Sequence, residues 1–464
     1  MSETKEEVYG YLPDEKPEFG KLFLYAVQQV IVMFPATITV ALITGFQVST
    51  TIFASGLATL CFIFITGKKI PLYYGSSFAY LTAISSMVMA EGSAEQIASW
   101  QATGILPTEL VSKAQFGIVM SGFVSIAAGL IVRKFGRSAV EKLLPATITG
   151  SVSMIIGLTL AGNAMSDAFS NGTYNNAVYA IVALVTLLST IIYSRYLKGV
   201  LGQLPLLLGA ATGCLVAAIF YFASSDASWH LFRTISDESL NSLWKMGPFA
   251  VPAFSLPKYS LNALVGIMPI AIATIPESTA HMYQLDIYVN DVAKKKGSTK
   301  KYDLAGMLDR NLIGDGLGDM ISGFVGGPAG TNYGENISTM AITKVFSVPV
   351  LIAASIIAMV ISCFTPLIKA IYGIPLAVIG GLEIYLFGAI AAQGIAIMID
   401  KKVDMFSSKN IAVIASIIVI GIGGQYAFGG NIPVFGLSIP CIAGASIFGI
   451  ALNALLSIGE KKKA

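Results

Sequence analysis

Apolar runs of about twenty residues follow one another along almost the whole chain, and no other feature restricts its fold as much. A helix needs roughly 20 apolar residues to cross the hydrocarbon core of a bilayer, where every backbone N–H and C=O has to be satisfied within the protein. Clear runs cover 22–45, 51–67, 115–132, 144–165, 175–194, 199–222, 260–282, 346–369, 374–399, 409–425 and 435–457. Three segments are weaker. Glycines and polar residues interrupt 71–90 and 332–345, and 304–325 carries Asp309, Asp315 and Asp319. Only 12% of the residues are charged, against about 25% in a soluble domain. The chain therefore reads as an all-α integral membrane protein of eleven to fourteen spans.

The placement of charge favours fourteen. With that count both termini share one side, and Lys68, Lys69, Arg133, Lys134, Arg137, Arg195, Lys198, the run from Lys294 to Lys301, Lys401 and Lys402 fall in loops on that side. Only Lys113, Arg233, Lys245, Lys258 and Lys369 fall on the other. The positive-inside rule then makes both termini cytoplasmic, and dropping one weak span would invert every later loop. The expected division is a cytoplasmic segment 1–21, a seven-span repeat 22–222, an extracytoplasmic loop 223–258, a second, inverted seven-span repeat 259–457 and a cytoplasmic tail 458–464. The net charge of +3 gives no basis for binding nucleic acid. Cys61, Cys214, Cys363 and Cys441 lie in apolar segments without C-x-x-C spacing, so they read as core thiols rather than metal ligands. The polar, acidic N-terminal stretch does not resemble a cleavable signal peptide.

Each half breaks at the same place. The third span opens with PLYYGSSFAY, Pro71 to Tyr80, and the tenth with GPAGTNYGENISTMAIT, Gly327 to Thr343. Both read Pro, a short stretch, then Tyr-Gly and two polar residues. Short, glycine-interrupted segments at matching positions of two halves point to a transporter binding site. A helix that starts inside the membrane aims its free N–H groups at whatever lies there. Ser76, Ser77 and Phe78 are expected to line one such start, and Gly334, Glu335 and Asn336 the other.

Other ionisable residues at membrane depth are few: Glu277 and His281 one turn apart on the eighth span, Asp315 and Asp319 on the ninth, and Glu383 on the twelfth. A carboxylate in that setting is costly and defaults to function, which makes Glu277 and Glu335 candidates for taking up and releasing a proton. Asp315, Asp319 and Glu383 read as evenly split between function and structural hydrogen bonding. Carboxylates accept N–H donors, and helix-start amides donate to carbonyl oxygens. Phe78, Tyr333 and Tyr74 would supply flat apolar faces. The set suits a small planar ring alternating N–H and C=O better than a sugar, a lipid or an inorganic anion.

At these residues the sequence resembles a known family. NYGENISTMAITKVFS is similar to the signature of the nucleobase–ascorbate transporters, or nucleobase–cation symporter 2, and especially of the bacterial uracil permeases. IPLYYGSSFAY, PESTAH, GDGLGDMISGFVGG and PLAVIGGLEIYLFG resemble further motifs of that family in the same order. The resemblance implies a core domain of spans 1–4 and 8–11, a gate domain of spans 5–7 and 12–14, proton-coupled alternating access and a homodimer. It implies that Glu277 and Glu335 bind the nucleobase edge, that Phe78 lies over the ring, that Tyr333 and Gly334 contact substrate, and that His281 takes part in proton coupling. Four positions depart from the family pattern: Gln28-Gln29 stands for a Gln-His pair, Ser338 for a glycine, Lys344 for an arginine and Glu383 for a small polar residue. Glu335 at the first signature position goes with uracil-type permeases, where glutamine goes with xanthine or urate transporters.

The expectation is therefore a secondary transporter of the bacterial inner (plasma) membrane, importing uracil with protons, with no cofactor and no catalytic residue. Gln28, Gln29, Ser76, Ser77, Asn336 and Ser338 line or support its site. Xanthine or another oxopurine is the alternative within the family. An anion exchanger of the same architecture is more distant, since the carboxylates oppose anion binding. Phosphate-binding glycine motifs are missing from any strand-to-helix turn, which disfavours an ATP-driven pump.

Overall fold

The computed structural model describes residues 10–136, 138, 144–169, 172–240, 242–434 and 437–458. The first nine residues of the expected N-terminal segment, Arg137, and residues 459–464 of the tail lie outside the described residues. The first half runs α1 (Phe19–Thr44), α2 (Val48–Ile65), β1 (Tyr74–Ser76), α3 (Leu81–Glu91), α4 (Ala94–Thr103), α5 (Thr108–Phe135), α6 (Ala146–Thr159), α7 (Ala161–Phe169), α8 (Asn176–Tyr196) and α9 (Pro205–Ala223). A hairpin, β2 (Trp244–Met246) and β3 (Phe249–Val251), leads to α10 (Leu261–Ile267), α11 (Ala271–Lys295), α12 (Leu308–Val325), β4 (Gly330–Asn332) and α13 (Gly334–Thr343). The chain continues through α14 (Val348–Ser362), α15 (Thr365–Tyr372), α16 (Leu376–Asp400), α17 (Ser408–Phe428), the hairpin β5 (Asn431–Val434) and β6 (Leu437–Pro440), and α18 (Cys441–Leu456).

Among the described residues nine helices are long and apolar enough to cross a membrane, and three shorter apolar helices cover Phe78–Glu91, Val348–Ser362 and Cys441–Leu456. Each of the fourteen expected segments contains helix, with three differences from the sequence reading. Segment 346–369 is two helices, because Ala250 of β3 donates to the Cys363 carbonyl (2.8 Å) and Thr365 to the Pro248 carbonyl (2.9 Å). Among its described residues, segment 435–457 becomes helical only at Cys441, after a strand ending on Pro440. The segment expected to end at 282 runs on, past Pro276, to Lys295.

The packing repeats itself between the halves. Helix α2 lies on α14 and α5 on α12; α8 lies on α9 and α17 on α18; α8 packs on α16 and α17 on α6. Between α5 and α12 the backbones touch: a Cβ on Gly122 would stand 2.4 Å from the Gly316 carbonyl oxygen, and one on Gly316 2.3 Å from that of Gly122. Small residues are what allow such an approach where burial gives helices in lipid little drive to associate.

Residues 10–15 form a strap across the ends of α11 and α13. Tyr11 N–H donates to the Lys344 carbonyl (2.9 Å), and Phe346 and Val348 N–H donate back to Tyr11 and Pro13 (2.7 and 3.0 Å). Lys296 pairs with Glu15 at 2.6 Å and Lys300 with Asp14 at 2.6 Å, while Tyr302 Oη donates to Asp14 at 2.5 Å. The Lys300 bond, then that of Tyr302, holds the Asp14 carboxyl below its ordinary value. A depressed carboxylate stabilises the fold above its unfolded pKa, and the contribution is lost as pH falls through the folded one. Asp14→Asn is therefore expected to speed amide exchange at Tyr11 and Phe346 several-fold at neutral pH. Wild type should match it, after correction for intrinsic rates, only in acid below the usual carboxylate range.

Candidate binding site between two broken spans

Strands β1 and β4 meet antiparallel, with Tyr74 opposite Asn332, Gly75 opposite Thr331 and Ser76 opposite Gly330. Ser77 N–H donates to Ala329 and Tyr333 N–H to Tyr73, each at 2.9 Å, extending the ladder at both ends. A two-stranded ribbon leaves an outer edge on each strand, and a buried edge has to find partners. Helix α2 serves β1: Ser55 Oγ and Thr59 Oγ1 each donate to the Tyr74 carbonyl at 2.9 Å, and Tyr74 N–H donates to Thr59 Oγ1 at 3.0 Å. Helix α12 serves β4, where Asp319 accepts the Gly330 N–H at 2.8 Å and also the Tyr74 hydroxyl.

The two Tyr-Gly pairs have a shared explanation. The Tyr333 ring covers Gly75 and the Tyr74 ring covers Gly330; a Cβ added to either glycine would sit 2.3 Å from the ring of the opposite strand. Tyr333 Oη donates to the Ser76 carbonyl (3.0 Å) and meets Thr37 Oγ1 (2.9 Å). Beside the ribbon, Asp315 accepts Ser278 Oγ (2.5 Å), Asn332 Nδ2 (3.2 Å) and Asn311 Nδ2 (3.4 Å). Asp315 and Asp319 therefore brace the strands from α12, and neither lines the cavity they support.

That cavity has a volume of about 200 Å³. One wall is Ser76 to Ala79, Thr331 to Glu335, Ala273, Pro276 and Glu277. The facing wall comes from α6 (Thr149, Ser153, Ile156) and α16 (Leu386, Ala389, Ile390, Gln393, Ile397). Its charged lining consists of Glu277 and Glu335, with no Lys, Arg or His. Helix α13 begins at Tyr333 without a side-chain cap, so its first amides open onto this space. Pro276, inside α11, removes one backbone hydrogen bond beside Glu277.

Of the residues expected at the site, Ser76, Ser77, Phe78, Glu277, Tyr333, Gly334 and Glu335 line the cavity; His281, Gln28, Gln29, Asn336 and Ser338 do not. His281 is buried directly behind Gly334, whose added Cβ would lie 3.0 Å from Nε2. Asn336 Nδ2 donates to the Gln29 side chain (2.7 Å) and carbonyl (3.0 Å), tying α13 to α1. Tyr74, expected to offer its ring to a ligand, is buried under the ribbon and does not reach the cavity. The sequence reading did not single out Gln393, Thr149 or Ser153. Gln393 is the one amide side chain in its span, which also carries Glu383.

Fold and site together define a multi-pass membrane protein of a transporter class. The fold is similar to that of the murine Solute Carrier 26 family member A9 anion transporter in its inward-facing state, with a TM-score of 0.65 at 13% identity over 99% of this chain and 72% of that one. Closer relatives in sequence are the uracil permeases of Bacillus caldolyticus, 33% identical over 95% of this chain and 93% of the relative, and of Bacillus subtilis (strain 168), 31% identical over 95% and 93%. A model of the permease family, Xan_ur_permease, matches residues 20–430. The chain belongs to this family, that of the nucleobase–ascorbate transporters, and its relatives are permeases rather than enzymes.

The ribbon sets where α13 and its Glu335 begin, so damage to it should cost stability first. Gly330→Ala is expected to destabilise by about 1–3 kcal/mol through overpacking against Tyr74. Asp319→Ala should cost about 1–3 kcal/mol by leaving the Gly330 N–H and the Tyr74 hydroxyl unpaired. Denaturation midpoints of the purified variants in detergent measure both, and an unchanged midpoint for Asp319→Ala would remove its bracing role.

Proposed function

We propose that this permease imports a nucleobase, uracil before others, by proton symport through alternating access. One observation carries the reading: Glu277 from α11 and Glu335 from α13 converge on one cavity whose lining has no cationic side chain. Two carboxylates and a set of uncapped amides match the N–H and C=O edge of a pyrimidine imide. Phe78 on the same wall supplies an apolar face for the ring. Tyr333 and Gly334 would act through their backbone, since the Tyr333 hydroxyl is engaged by Ser76 and Thr37. The names of the relatives, uracil permeases, point the same way.

The exchange-symmetric packing supports fourteen spans in two inverted repeats, 22–222 and 259–457. On this reading α1, α2, β1 with α3, α5 and their counterparts α10–α15 form the core, and α6–α9 with α16–α18 the gate. The cavity lies at their seam, so relative motion of the two bodies would open it to one side at a time. Protonation of Glu277, with His281 behind it, would couple uptake to the gradient. The Lys/Arg asymmetry supports cytoplasmic termini in the bacterial plasma membrane, and the family resemblance supports a homodimer. Likeness to an anion transporter supports the fold alone; the acidic lining argues against an anion as cargo.

Uptake of radiolabelled uracil into proteoliposomes should rise with an inward proton gradient and ignore excess bicarbonate. Glu277→Ala and Glu335→Ala should each lower it about ten- to hundredfold, the loss of one charge-assisted hydrogen bond. Wild-type rates in both variants would sink the site assignment. Displacement of uracil by xanthine, with xanthine itself carried, would move the substrate to the oxopurines.

A further inference from the structure

Glu383, the carboxylate that departs from the family pattern, is 1% exposed and lies far from any expected partner in sequence. The fold gives it one: it comes within hydrogen-bonding reach of the Asp167 carboxyl on α7. The approach is forced by packing. Helix α16 meets the end of α7 at Gly380, where an added Cβ would stand 2.4 Å from the Asp167 carbonyl carbon and from Ala168 N. Glu383 Oε2 is buried with no hydrogen-bond partner.

Two carboxylates are acceptors only, so no hydrogen bond forms between them unless one carries a proton. Two adjacent negative charges here would repel, and Glu383, buried beside the half-buried Asp167, would lose its hydration as well. Of the other charged groups around the pair, Arg233 offsets the repulsion only in part. Arg233 is near enough for its charge to act on Asp167, but its Nε donates to the Ile374 carbonyl at 2.9 Å and its Nη2 is buried without a partner. Tyr179 of α8 donates to the Asp167 backbone carbonyl at 3.0 Å. Tyr174, Tyr372 and the Cys214 thiol of α9 complete the set facing this region, and α6 carries no ionisable residue.

The position of the pair follows from residue order on two helices. Along α6 and α7 the cavity residues are Thr149, Ser153 and Ile156; Leu160 and Ala164 follow, then Asp167. Along α16 the order is reversed: Glu383, then Leu386, which also borders the cavity, and Phe387, then the remaining cavity residues to Ile397. Leu160, Ala164, Leu386 and Phe387 pack with Val40 of α1 and Leu81 of α3 into one apolar cluster. Asp167 and Glu383 each stand three residues, or about 4.5 Å of helix, beyond that cluster on the side away from the cavity.

We propose that Asp167 and Glu383 form a second proton-binding site, holding one proton between them behind an apolar plug that separates them from the ligand cavity. While the proton is held, the carboxyls hydrogen-bond and draw α7 and α16 together, which keeps the plug closed. Its loss places two charges in contact and pushes those helices apart. The site is independent of the identity of the transported ligand.

The test is infrared difference spectroscopy of the full-length protein in vesicles, between mildly acid and alkaline buffer. A protonated-carboxyl C=O band that disappears on alkalinisation is expected in wild type and in the Glu277→Gln/Glu335→Gln double variant. It should be missing when Glu383→Gln or Asp167→Asn is added to that double variant. Glu383→Gln keeps a hydrogen-bond donor in place of the proton, so it should also keep its melting temperature where wild type loses stability with rising pH. If Asp167→Asn does not fold, Glu383→Gln alone decides. A band that Glu383→Gln leaves unchanged in the double variant, with a pH–stability curve unchanged from wild type in Glu383→Gln, would overturn the proposal.

Discussion

The pairing of β1 with β4 is the contact on which the rest of this molecule depends. Neither half-length element could stay extended inside a bilayer alone, because its backbone groups would have no partners there. Together they satisfy each other, and Ser55 and Thr59 on one side and Asp319 on the other satisfy the edges that remain. The helices that follow each strand can then begin in the interior of the protein. Two helix starts, that of α13 without a side-chain cap, come to one cavity as a result, and Glu335 with them.

The walls of that cavity answer to different constraints. The strand wall is braced by buried polar contacts, Asp315 and Asp319 among them, each of which has a specific partner. The α6–α16 wall has five apolar side chains among its eight, with no charged group, and offers Thr149, Ser153 and Gln393 as its polar groups. One side of the site is suited to holding geometry and the other to sliding. An apolar cluster closes the space between them at the end nearest Asp167 and Glu383.

Hydropathy located the helical segments because span length and lipid solvation act on each stretch separately. The matched Tyr-Gly breaks were legible for the same reason: glycine and polar residues at membrane depth stand out locally. Glu277 and Glu335 were legible because intramembrane charge is rare. What each tyrosine does was not, since Tyr74 and Tyr333 are placed by glycines on the opposite strand, far along the chain. The break at Cys363 depends on a hairpin more than a hundred residues earlier, and the late start of α18 on a strand pair whose sequence is as apolar as a span. The nearness of Glu383 to Asp167 has no local signature, because two distant helices create it.

The same strand pair bears on how the protein is made. The partner of β1 lies about 250 residues further along the chain, and at about 5–20 residues per second it is synthesised some 12–50 s later. For that interval the first half sits in the membrane with one strand face unpaired, and the hydrogen bonds from Ser55 and Thr59 of α2 are already made. Completion of the fold therefore waits on the last third of translation, and the insertion machinery has to shelter a short stretch of open backbone until Gly330 arrives.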